Sequence, residues 1–186
     1  FVVPAIKLES KGPVFFKQKR VGKNGRYFYV YKFRSMYMDA EERKKELMVH
    51  NEMDGHMFKM KDDPRITKVG RFIRKWSIDE IPQLWNILKG DMSIIGPRPA
   101  LWNQYDLIEE RDKYEANSIR PGLTGSAQIS GRDELEISLK AKLDGDYTQN
   151  ISFILDVKCF IGTIFSVVKS EGVVEGNKDS SKEVDE

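Results

Sequence analysis

The sequence predicts a mostly helical α+β fold, a single domain with a small β-hairpin, whose N-terminal block suits an anionic surface. Three observations carry that expectation. Asn24-Gly25 falls between two runs rich in aromatic and apolar residues, a short-range hairpin signal. Apolar residues recur at helical spacing in 77–90 and again in 151–170. The first 36 residues hold nine basic side chains against one acid, Glu9, interleaved with Phe15, Phe16, Tyr27, Phe28, Tyr29 and Tyr31. At 186 residues the chain is long enough to bury a core as one domain. The expected division is 1–170 for that domain and 171–186 for a polar, acidic, disordered tail.

Taken in order, FVVPAI runs directly into charged residues, and Lys11-Gly12-Pro13 breaks the apolar start. Residues 14–18 and 27–33 read as two strands joined across 22–25, where Asn24 and Gly25 tolerate the positive φ of a tight turn. DAEERKKELMVH, from Asp39 to about His50, reads as a solvated helix with acids early and cations late, which suits the helix dipole. Met53, Met57, Phe58 and Met60 suggest a packing or lipid-facing edge. Asp62-Asp63-Pro64-Arg65 reads as a turn. The block that follows delivers Arg65, Lys68, Arg71, Arg74 and Lys75 toward an acid pair, with Arg71 and Arg74 on one helix face.

That pair, Asp79 and Glu80, is the centre of the chain. Ser77 stands three residues before Glu80, the spacing of a capping box. Pro82 fits inside the first helical turn if Asp79 is the cap, and removes a hydrogen bond if Ser77 is. Either start leaves Asp79 near a helix N-terminus, where the dipole favours an ionised carboxylate. Ile81, Leu84, Trp85 and Leu88 then predict a buried stripe, and Gly90 ends the helix. Residues 92–95 lead, as a short strand or extended run, into Gly96-Pro97-Arg98-Pro99, where two prolines restrict Arg98 and suit its guanidinium to phosphate.

A helix over 101–117 follows, then a Pro-Gly turn at Arg120-Pro121-Gly122. Gly122, Gly125 and Gly131 punctuate a segment whose amides suit phosphate or nucleotide, with Arg120 and Arg132 as further candidates; no Walker spacing is present. Helices are expected over 134–147 and 151–170. In the second, Ser152, Asp156, Cys159, Thr163 and Ser166 make one narrow polar stripe, and the remaining surface is apolar. Asp156 and Lys158 disfavour a spanning role, leaving a helix at an interface or packed across the domain.

The basic, aromatic N-terminal block suits an anionic partner, either nucleic acid or a bilayer, where each cation contributes on the order of 1 kcal/mol. The aromatics also suit the interfacial layer. Cys159 alone rules out an intramolecular disulfide and fits a reducing compartment. His50 and His56 make no zinc pattern.

SIDEIPQLWNILKGDMSIIGPRP resembles the signature of the bacterial sugar transferases, the single-domain polyprenyl-phosphate phosphoglycosyl transferases that initiate glycan assembly. The likeness extends through KGPVFFKQKRVGKNG, YKFRSM, DDPRITKVGRFIRKWS and RPGLTGSAQISGRDEL, and so covers most of the chain. It implies transfer of a sugar 1-phosphate from a UDP-sugar to undecaprenyl phosphate, with release of UMP, through a covalent intermediate. By position, Asp79 would be the nucleophile and Glu80 the magnesium ligand. Arg74 and Arg98, with Arg120 and Arg132, would bind the substrates. The resemblance also implies a bacterial inner membrane enzyme on the cytoplasmic face, contacting membrane lipid and no nucleic acid. A membrane helix precedes KGPVFF in the family, so FVVPAI reads as the end of one. A non-catalytic lipid-binding module is the rival expectation, disfavoured by the intact Asp79-Glu80. Glycoside hydrolysis is disfavoured because its two acids must straddle a sugar about 5 Å or more apart.

Overall fold

The computed structural model describes residues 1–50, 60, 62–131 and 135–169. The chain is α+β and mostly helical, with two small sheets. A first helix, α1 (Val2–Glu9), leads into an antiparallel hairpin of β1 (Phe15–Val21) and β2 (Tyr27–Phe33), in register from Phe15↔Phe33 to Val21↔Tyr27. The expected turn is there: Asn24 and Gly25 both have positive φ, inside a 3-10 turn at Lys23–Gly25. β1 runs three residues beyond its expected end, to Val21.

α2 (Ala40–Leu47) is the expected polar helix, and α3 (Lys68–Lys75) carries the basic block. Two groups fix the start of α3. The Thr67 hydroxyl accepts from the Gly70 amide, and the Glu9 carboxylate accepts from the amides of Lys68 and Val69 at 2.6 and 2.8 Å. The end of α1 is thereby hitched to α3, in line with the preference of carboxylates for helix N-termini. Gly70 lets α3 approach the chain after β2, since a Cβ there would lie 2.0 Å from the Ser35 carbonyl oxygen.

The helix expected from Ser77 starts later. Ser77 adopts a left-handed backbone (φ 53°) and its side chain caps nothing; Ile78–Glu80 is a 3-10 turn, and α4 (Gln83–Leu88) begins after Pro82. The capping box fails because the Glu80 side chain is held elsewhere, by Lys32 and Arg98. The buried stripe fails too. Ile81, Leu84, Trp85 and Leu88 are exposed, Leu88 at 80%, and the inward residues of α4 are Gln83 and Asn86. Asn86 accepts from the Tyr31 amide and donates to the Tyr29 carbonyl, so polar groups bind α4 to β2 and the apolar face turns out.

β3 (Ser93–Ile95) pairs in parallel with β4 (Gly122–Thr124), where a turn was expected. A Cβ on Gly122 would lie 2.2 Å from the Gly96 amide nitrogen, which is why the paired segments need glycine there. The helix expected over 101–117 shortens to α5 (Tyr105–Asp112), because Ala100 and Leu101 are tied to β1 by the Val21 amide and an Arg20↔Leu101 bridge. α6 (Ser126–Ile129), α7 (Ile137–Gln149) and α8 (Phe153–Lys169) complete the order.

α8 repeats the inversion of α4. Cys159 is fully buried, the Tyr147 hydroxyl donates to Asp156, and Thr163 pairs with Thr124 across 2.5 Å. The apolar residues face outward, with Phe153 and Ile154 both 81% exposed and Phe160, Ile161, Ile164, Phe165 and Val168 between 47% and 66%. Among the described residues no helix is long and apolar enough to cross a membrane. The tail expected over 171–186, the Met-rich stretch before Met60, and Arg132 lie outside the described residues.

Candidate active site

Asp79 sits on the 3-10 turn between α3 and α4, buried to 7% exposure, and opens onto a cavity of about 750 Å³. Glu80, Arg74 and Arg98 line the same cavity, so four of the six residues singled out in the sequence converge. Arg74 reaches from α3, its Nε donating to the Ser35 hydroxyl at 2.8 Å. Arg98 reaches from the Gly-Pro-Arg-Pro turn and donates to both oxygens of Glu80, at 2.5 and 3.3 Å. Arg120 is exposed and does not line the cavity; its guanidinium lies beside Gly90. Arg65, expected among the approaching cations, does line the cavity, held there in a buried, bidentate pair with Asp63.

The pKa values of the two acids are shifted in opposite directions. Burial raises the Asp79 pKa above the ordinary aspartate value; Lys32 foremost pulls it back, and the Glu80 charge pushes it further up. Glu80 is also desolvated, but Arg98 and then Lys32 hold its carboxyl well below the ordinary glutamate value. Burial in turn lowers the Lys32 pKa, with Glu80 opposing. The dipole expected to keep Asp79 ionised has no α-helix to come from, since α4 starts only at Gln83. Side-chain cations, Lys32 foremost, oppose the rise in the Asp79 pKa without offsetting its burial.

Lys32 is the residue beside the acid pair that sequence reasoning passed over. It stands on β2, 48 positions from Glu80, and donates to Glu80 Oε1 at 2.8 Å. Among the aromatics of the hairpin it read only as one more surface cation. Arg111 was passed over as well. Buried on α5, it binds Asp144 on α7 and donates to the Arg98 carbonyl oxygen at 2.8 Å, holding the Arg98 turn from behind.

Among the described residues no group of three or more His, Cys, Asp or Glu converges. Glu80 alone, ionised and facing the cavity, fits a magnesium ion, which takes only one or two protein carboxylates and draws its other ligands from phosphates and water. Buried or half-buried carboxylates with split pKa values beside fixed arginines, on one cavity, equip the site for nucleophilic attack on an anionic group.

Residues 1–170 match the family described as bacterial sugar transferase. The chain is similar to the galactosyl transferase CpsE of Streptococcus agalactiae, 49% identical over 173 residues that cover 92% of this chain and 38% of that protein. It is 42% identical over 177 residues to an uncharacterized sugar transferase, EpsL, of Bacillus subtilis, covering 95% of this chain and 81% of EpsL. It is 41% identical over 169 residues to the undecaprenyl-phosphate galactose phosphotransferase of Salmonella typhimurium, covering 87% of this chain and 34% of the relative. The chain thus spans little more than a third of two of these three relatives. With the match running through both sheets, the acid pair and α8, the chain belongs to the bacterial sugar transferase family.

Proposed function

We propose that the protein transfers a sugar 1-phosphate from a UDP-sugar to undecaprenyl phosphate, the first membrane step of capsule or exopolysaccharide synthesis. One observation carries the reading: a buried aspartate of raised pKa opens, beside an ionised glutamate and two arginines, onto a cavity large enough for a ligand of this size. Relatives named for undecaprenyl-phosphate galactose and glucose phosphotransfer, and for a UDP-galactose-lipid carrier transferase, supply the substrate class.

An Asp79 carboxylate oxygen attacks the phosphorus that bears the sugar, and the bond to the bridging oxygen breaks as UMP leaves. A phosphate oxygen of the acceptor then attacks the same phosphorus, displaces Asp79 and forms the lipid diphosphate sugar. Arg74 and Arg98 offset phosphate charge, Arg98 with a planar fork suited to two oxygens. Lys32 keeps Glu80 anionic and moderates the Asp79 pKa. Glu80 would hold magnesium, which supplies Lewis-acid neutralisation of the diphosphate. Arg120 and Arg132 remain candidates for the nucleotide.

Residues 1–170 form the catalytic domain on this reading, lying on the cytoplasmic face of the bacterial inner membrane. The outward apolar faces of α4 and α8 and the basic hairpin support that placement. Incubating the detergent-solubilised protein with a panel of UDP-sugars tests the activity. UMP release that needs magnesium, and intact-mass detection of a phosphosugar on Asp79, are expected. Absence of both with every donor would favour the non-catalytic lipid-binding alternative.

A further inference from the structure

We propose that Ser35 is a positioning residue for Arg74: its hydroxyl holds the Nε side of the guanidinium and so presents the Nη1–Nη2 edge to the phosphate that Asp79 attacks, a role that rests on the transferase reading above. Arg74 Nε donates to Ser35 Oγ at 2.8 Å, the one hydrogen bond of that guanidinium among the described residues. Arg74 also lines the cavity. Arg98 is engaged differently, with both of its Nη atoms donating to Glu80. A guanidinium binds an anion through two N–H groups at once, along its Nε side or along its terminal edge. With Nε engaged, the terminal edge is what remains for two phosphate oxygens. The Arg74 charge is felt at Asp79, which places that edge in the electrostatic neighbourhood of the nucleophile.

Ser35 has a seat that does not depend on its hydroxyl. The Tyr37 amide donates to the Arg65 carbonyl at 2.9 Å, the Thr67 amide donates to the Ser35 carbonyl at 3.1 Å, and Met36 bridges Ile66 between them. Thr67 is the N-cap of α3, so backbone bonds alone tie Ser35 to the helix that carries Arg74. The side chain takes no part in them. Ser35 is buried, which leaves little room for water to replace the hydroxyl as an acceptor. Arginine is long and rich in rotamers, and without an acceptor at Nε its plane can turn, so the paired donors would face the phosphate for only part of the time.

The test is a double-mutant cycle on Ser35→Ala and Arg74→Lys, with Ser35→Thr as the variant that keeps the hydroxyl. Alone, Ser35→Ala should lower kcat/KM for the UDP-sugar by about tenfold or more, the scale of a lost charge-assisted hydrogen bond, and leave the urea midpoint in place. In the Arg74→Lys background the same substitution should change kcat/KM by about twofold or less, because lysine has no fork to orient. Ser35→Thr should stay within about threefold of wild type, since the acceptor is kept. Wild-type kcat/KM in Ser35→Ala, an equal cost in both backgrounds, or a loss in Ser35→Thr as large as in Ser35→Ala would overturn the proposal. A second arm needs no turnover: inorganic pyrophosphate, titrated calorimetrically with magnesium present, should bind wild type and Ser35→Thr alike and Ser35→Ala more weakly, and that deficit should vanish in the Arg74→Lys background. A deficit that persists there would equally overturn it. If wild type releases UMP from no UDP-sugar while the pyrophosphate cycle couples Ser35 to Arg74, the transferase reading falls and the positioning role stands.

Discussion

Arg111 and Asp144 join α5 to α7 through a buried ion pair, with Arg111 Nε and Nη2 at 2.9 and 2.5 Å from one carboxylate oxygen, while Arg111 Nη1 holds the Arg98 carbonyl. Removing one partner leaves the other charge uncompensated inside the protein. Arg111→Met should therefore cost about 3–5 kcal/mol in urea denaturation. Adding Asp144→Leu should restore most of that stability, because the orphaned carboxylate goes with it. Turnover should stay low in the double variant, since the Arg98 turn has lost its anchor. Full recovery of activity along with stability would reduce Arg111 to a packing residue.

Asp79→Asn should abolish turnover and the covalent adduct and leave the fold intact, because an amide cannot form the acyl phosphate. In wild type the rate should fall as pH drops through the Asp79 pKa, which burial places above the ordinary value of 3.8. A pH profile of kcat/KM checks this. An acid limb at or below that value would mean that another group titrates.

Glu80→Gln should shift the magnesium dependence to higher concentration as well as lower the rate. It should also change the pH dependence of stability. The folded-state pKa of Glu80 lies well below 4.5, so its stabilising contribution is present above that ordinary value and is lost as pH falls through the folded pKa. Asp79 works in the other direction: its raised folded pKa gives a contribution full below the ordinary value and lost as pH rises through the folded one. Urea midpoints across acidic pH, compared between wild type and Glu80→Gln, separate the two.

Arg98→Lys keeps the charge but loses the planar fork that now spans both oxygens of Glu80. Activity should drop at least tenfold. Stability should change by about 1 kcal/mol or less, because Arg98 is partly exposed and such ion pairs contribute modestly. Normal turnover of the lysine variant would place phosphate recognition on Arg74 and other cations.

The protein should bind anionic vesicles, and added salt should release much of it by screening the basic hairpin. Replacing Phe160, Phe165 and Leu88 with serine should weaken binding to neutral and anionic vesicles alike, as these exposed side chains have little packing to lose. Partition unaffected by both salt and the triple substitution would assign the attachment to other surfaces.

What the sequence disclosed follows from how local each feature is. The hairpin was legible because Asn24-Gly25 fixes its turn within two residues, and the acid pair because its surrounding string is distinctive. Periodicity found the correct face-sharing residues in α4 and α8, but it does not say which face meets the protein. In α4 the answer came from Asn86 reaching back to β2, and in α8 from Thr163 and Asp156 finding partners on β4 and α7. The same non-locality hid Lys32 and the β3–β4 pairing, each decided by a partner far along the chain. Ser77 read as a cap because local spacing allowed it, and lost that role when Glu80 bound Lys32 and Arg98 instead.

The carboxylate of Glu9, seated on the first amides of α3, turns two helices into one lever. Arg74 lies six residues along α3 from Lys68, roughly 9 Å of helix rise. The two hydrogen bonds fix the end of α1 to the start of the helix that carries Arg74. The position of Arg74 relative to α1 is thereby a dimension of the fold, set by the Glu9 carboxylate. Glu9→Gln would loosen that latch by removing its charge, and α3 would then move independently of α1.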